Sequence, residues 1–95
     1  MIKVNFNQKP DRKPNEAHEL FKDGVRCIMW ANDYKEALKC FNKAIMMRDD
    51  QSDYYYWRAL ARKHLKQFRG AVNDFNKAVE LNPETFNILE IYNTT

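Results

Sequence analysis

One stretch of this chain is written twice, thirty-four residues apart. Tyr34, Ala37, Leu38, Phe41, Ala44 and Ile45 are matched by Phe68, Ala71, Val72, Phe75, Ala78 and Val79. Asn-Lys-Ala is identical at 42–44 and 76–78. Within each copy the matched residues are three or four apart, so they share one face of an α-helix. The result is an aromatic–Ala–aromatic–Ala stripe, in which the alanines admit a neighbouring helix and the aromatics fill the space beside it. A unit repeated at this period is one supersecondary element that cannot bury its apolar face alone, and copies must stack to form a core.

A second helix precedes each copy. Phe21, Gly24, Val25 and Ile28 stand at i, i+3, i+4 and i+7, an apolar face at helical spacing. The turn after this helix is Ala31-Asn32-Asp33. Asn32 suits the left-handed conformation at a helix end. Asp33 suits the cap of the next helix, with Glu36 three residues on. In the second copy the first helix is expected from Asp53 to Leu65, capped by Ser52 or Asp53. Asn82-Pro83 closes that copy and opens a further short helix at about Glu84 to Tyr92.

The thirty-four-residue period and the order Tyr/Phe–Ala–Phe–Ala–Pro resemble the tetratricopeptide repeat family over about His18 to Tyr92. The resemblance implies an all-α, right-handed α-α superhelix of five helices. Residues 1–16 form an extended N-terminal arm, 17–51 the first repeat, 52–83 the second, and 84–95 a closing helix and tail. There are departures. The first helix of such a repeat carries a bulky residue followed by a small one, whereas here the first repeat has Gly24 and then Val25. The second has Arg58 and Ala59, and Arg62 stands where an aromatic is usual. Two arginines on a half-buried face must find partners or snorkel to water. Asp49 replaces the proline expected after the first repeat.

The resemblance further implies a protein or peptide bound in the concave groove lined by the first helix of each repeat. Those places hold Glu19, Lys22, Arg26, Met29 and Trp30, then Asp53, Tyr56, Leu60, Lys63 and His64. Trp30 and Tyr56 are the residue types that anchor interfaces. Lys22, Arg26 and Lys63 add positive charge, which suits a partner with acidic and apolar side chains. Repeats that clamp the carboxyl terminus of chaperones through an EEVD-type tail use a Lys, two Asn, a Lys and an Arg. Only Lys22 matches here. Arg26, Trp57, Asn87 and Ile91 occupy the other four places, so no such clamp is expected.

The two ends offer further surfaces. Ile2, Val4 and Phe6 alternate with Lys3 and Asn5, a strand-like pattern suited to docking on a partner. Pro10 and Pro14 stiffen the linker between this strand and the first helix. At the other end Leu89 and Tyr92 can cover the second repeat. Phe86 and Ile91 fall on another face, which favours contact with a second protein or self-association. Cys27 and Cys40 lack metal-ligand spacing and read as small buried thiols of a reducing compartment, a disulfide between them being the alternative.

Composition narrows the classes that remain. A hydrophobic share of 44% and a charged share of 31% fit a folded rather than a disordered chain. There is no apolar leader and no run of about 18 apolar residues to cross a membrane, so the chain reads as intracellular and cytoplasmic. Arg58, Arg62, Lys63, Lys66 and Arg69 form a basic run beside Tyr54-Tyr55-Tyr56-Trp57, which makes RNA binding, or membership of a ribonucleoprotein assembly, the second reading. Catalysis is disfavoured. His18 and His64 lie in different helices, the two glycines Gly24 and Gly70 fall within helices, and no nucleophile–base or metal-ligand motif is present. Asp49-Asp50 reads as a loop and cap. No cofactor and no metal are expected.

Overall fold

A computed structural model describes residues 15–85. Four α-helices succeed one another: α1 Glu16–Ala31, α2 Tyr34–Met47, α3 Ser52–His64 and α4 Phe68–Leu81. They pair as two antiparallel hairpins, α1 with α2 and α3 with α4, and the hairpins stack mainly through α2 against α3. Four helices, not the expected five, are therefore present among the described residues. The chain enters a helical turn at Glu84–Thr85. The rest of the expected fifth helix and the arm up to residue 14 lie outside the described residues, and so do Ile2, Val4, Phe6, Phe86, Asn87, Leu89, Ile91 and Tyr92.

The stripes explain the core of the first hairpin. Ala37, Phe41 and Ala44 of α2 are sealed from solvent, with Ala17 and Phe21 of α1 and Tyr54 and Ala61 of α3 in the same cluster. The rings of Phe21 and Tyr54 stack at 4.8 Å, joining α1 to α3. Burying one side chain the size of Phe41 contributes about 2–3 kcal/mol. Gly24 is buried too. A β-carbon there would stand 2.5 Å from the Phe41 ring. The inverted Gly24–Val25 order thus has a use: the glycine lets α1 close onto Phe41, Val25 packs beside the core, and Asp23 stays exposed.

The turns repeat at the same offset. Asn32 and Lys66 are the two non-glycine residues with positive φ among the described residues, 53° and 66°. Asp33 caps α2 by accepting a hydrogen bond from the Glu36 N–H at 3.0 Å. Its counterpart Gln67 makes no such cap. The α3 start differs from expectation. Neither Ser52 nor Asp53 caps it; Gln51 holds that place without a side-chain bond, and the Tyr54 N–H donates to the Gln51 carbonyl. The buried Tyr55 hydroxyl donates to the Asp49 carbonyl at 3.0 Å and ties the preceding loop to the first turn of α3. Asn82 behaves as expected, its side chain accepting from the Glu84 N–H at 3.1 Å beside Pro83.

Candidate functional site

The second hairpin holds its polar centre where the first is apolar. Asp74 is 4% exposed, one residue before Phe75 in the α4 stripe. Arg58 Nε and Nη2 donate to its two oxygens, each at 2.9 Å. Arg62 Nη1 donates to the same carboxylate at 3.0 Å. Arg58 Nη1 also reaches Asn42 Oδ1 of α2 at 2.8 Å, so one guanidinium ties both helices of hairpin 2 to hairpin 1. The expected partner for the two arginines is thus a single buried acid. Sequence reasoning missed Asp74, although two arginines four residues apart on a packing face were a signal that a carboxylate must face them.

This arrangement divides the basic run. Arg58 and Arg62 are half-buried and paired, and Tyr54 and Tyr55 are buried, so none of these forms an outward stacking and phosphate-binding surface. Lys63, Lys66 and Arg69 remain on the surface.

The residues expected to line the groove separate into two groups. Lys22 and Arg26 are exposed on α1 and pair along the helix, Lys22 with Glu19 at 3.7 Å and Arg26 with Asp23. Met29 and Trp30 lie bare at the end of α1, Trp30 82% exposed. His64 stacks on Tyr34 at 4.2 Å, 10° from parallel. Tyr56, Leu60 and Lys63 instead line a pocket of about 330 Å³ with Ala59, Phe68, Ala71, Val72 and Phe75, within the size range of ligand sites. The α4 residues in that wall belong to the repeated stripe. They read as core in the sequence, because their counterparts in α2 are core.

The contrast between copies is the central observation. Ala37 and Phe41 are sealed under α3. On α4 Ala71 stays buried, but the stripe is partly open: Phe68 is 57% and Val72 58% exposed where their counterparts Tyr34 and Leu38 are half-buried. Phe75 is half-buried, its ring tilted against Tyr56 at 6.3 Å. Hairpin 2 presents to its outer side the face that hairpin 1 presents to hairpin 2.

Tetratricopeptide repeat family models match residues 31–51, which hold α2, and residues 52–85, which hold hairpin 2. The chain belongs to the tetratricopeptide repeat family. Among tetratricopeptide repeat relatives, the human mitochondrial import receptor subunit TOM70 is 28% identical over 88 residues, 87% of this chain and 13% of that protein. Its counterpart from Rattus norvegicus is 32% identical over 75 residues, 74% of this chain and 11% of that protein. The DnaJ homolog subfamily C member 3 homolog of Dictyostelium discoideum is 29% identical over 70 residues, 74% of this chain and 14% of that protein. The chain therefore spans between 11% and 14% of the length of these relatives. No solved structure matches it closely.

Chemistry elsewhere is sparse. No group of three or more His, Cys, Asp or Glu able to hold a metal occurs among the described residues. No described helix is long and apolar enough to cross a membrane. Cys27 and Cys40 are free thiols. Burial, the largest cause, raises the pKa of both above the ordinary value, which keeps them protonated and weakly nucleophilic.

Proposed function

We propose that this chain is a protein-interaction scaffold of the tetratricopeptide repeat type. It receives a partner on the open face of hairpin 2 and on the exposed residues of α1 and α3. The observation that supports it most is the uncovered stripe: Phe68 and Val72 are more than half exposed, whereas their counterparts Tyr34 and Leu38 in hairpin 1 are half-buried. Apolar surface gathered in a pocket, rather than scattered singly, marks an interaction site. Lys22, Arg26, Met29, Trp30 and His64 extend that surface along the first helices. Two of the relatives are named as subunits of a mitochondrial import receptor, which fits a binding role. Docking through Ile2, Val4 and Phe6 of the arm, and through Phe86 and Ile91 near the other end, belongs to the same proposal.

The test compares what the full chain captures with what two variants capture. One carries Phe68→Glu and Val72→Glu, the other Met29→Ala and Trp30→Ala. Proteins retained by the parent chain and lost from either variant, with circular dichroism unchanged, support the reading. Identical capture by all three overturns it.

A further inference from the structure

The way hairpin 1 is covered indicates what covers hairpin 2. On hairpin 1 the covering helix is α3, and it lies with its last residue, His64, stacked on Tyr34 at the start of α2. The counterpart of Tyr34 is Phe68, at the start of α4. A helix laid on hairpin 2 in the same way brings its C-terminal turn to Phe68.

The turn between α3 and α4 and the helix ends beside it, next to that end of the pocket, carry three cations. Lys63 lines the pocket, Lys66 forms the left-handed turn residue, and Arg69 comes directly after Phe68. All three are exposed. None has a carboxylate within ion-pair distance among the described residues, whereas Lys22, Arg26, Lys39, Arg48, Arg58, Arg62 and Lys77 each have one. Between Tyr54 and Asn73 there is no acidic residue. Of residues 86–95 of this chain, Glu90 alone carries a carboxylate side chain.

The geometry points to a specific occupant: an amphipathic helix of a partner protein, with Asp or Glu in its last turn. Its apolar ridge fills the space over Phe68, Val72 and Phe75, and its terminal carboxylates meet Lys63, Lys66 and Arg69. Acids in a last turn oppose the helix's own dipole, so such a helix gains from a cationic seat that an ordinary helix does not need. Charge at the rim then selects among partners that share the same apolar ridge. This inference rests on the protein-binding reading and adds the chemistry of the partner.

Two fluorescein-labelled fourteen-residue helical peptides test it against the full chain by anisotropy. Both carry the same leucine ridge; one ends in a Glu-rich turn, the other in a Lys-rich turn. The Glu-ended peptide is expected to bind about tenfold tighter at low salt, and the preference to shrink as salt is raised. Lys66→Asn, which suits the left-handed turn, should weaken the Glu-ended peptide about threefold without lowering the melting temperature. A purely structural role for Lys66 would not produce that split. Equal affinity for both peptides overturns the charge inference and leaves the protein-binding reading standing. Binding by neither overturns the inference, while the capture comparison above judges the broader reading separately. Binding that appears only after Leu89→Asp identifies the chain's own C-terminal segment as the occupant. A dimer dissolved by Val72→Glu in sedimentation identifies a second copy. Either of these last two results overturns the partner helix.

Discussion

Arg58 grips both carboxylate oxygens of Asp74 across the interior of hairpin 2, each at 2.9 Å. The pair is screened from water on most sides, and Asp74 is further held by Arg62. Removing the acid leaves two guanidinium groups in a half-buried site without a counter-charge. Asp74→Asn should therefore cost about 3 kcal/mol, reduced to the extent that the arginines reach solvent. Replacing all three, as Arg58→Met, Arg62→Leu and Asp74→Leu together, should recover most of that loss. Urea unfolding of the two variants separates a requirement for charge balance from a requirement for the ions themselves.

Gly24→Ala is expected to destabilise the chain, against the usual sign for a helical glycine. Alanine normally gains about 1 kcal/mol at such a place. Here its β-carbon would sit 2.5 Å from the ring of Phe41, and forcing the helices apart costs about 1–3 kcal/mol. At Gly70 the nearest atoms are Arg62 Cδ and Nη1, both at 3.1 Å, so a shift of a few tenths of an ångström suffices and Gly70→Ala should be the milder change. Equal effects in thermal unfolding would contradict this reading of the α1–α2 contact.

The two turns predict opposite engineering outcomes. Asp33→Ala removes the cap on Glu36 and should cost about 1 kcal/mol. Gln67→Asp should supply the cap that α4 lacks and gain a similar amount. Chemical denaturation midpoints of the two single variants check both signs.

Stability should fall in alkali. Burial, the largest cause in each case, raises the pKa of Tyr54 and Tyr55 above 10.0 and that of Cys27 and Cys40 above 9.0. A group whose pKa is raised on folding favours the folded state while protonated. Its contribution is complete below the ordinary pKa and is lost as pH rises through the folded-state value. The melting temperature should thus decline above about pH 9, within the range where these groups ordinarily titrate. Tyr54→Phe combined with Cys27→Ser and Cys40→Ser should flatten the decline. A melting temperature that stays level through the alkaline range, to about pH 11, would refute the assignment.

A peptide ending in an EEVD-type sequence should show no saturable binding in a titration. Trp57, one of the five clamp places, packs against the core of hairpin 1 and has no amide to offer. Arg26, a second, pairs with Asp23.

Much of this molecule was legible from one register. The offset of thirty-four located both hairpins and put Ala37, Phe41, Ala44 and Ala78 inside, and residue type placed Asn32 at the left-handed turn. Local chemistry also identified the Asp33 cap and the Asn82 turn. These features depend on helical periodicity and on bonds between near neighbours, which a linear sequence contains directly. Other features needed distant segments to meet. The partner of Arg58 and Arg62 was Asp74, 16 and 12 residues away. The same stripe is closed in one copy and partly open in the other, with Phe68 and Val72 exposed while Ala71 and Ala78 stay buried, because burial depends on whether a third element lies above it. The sequence by itself determined which faces are apolar; only the tertiary structure decided which of those faces is covered, since matching residues are buried or exposed according to what packs on them.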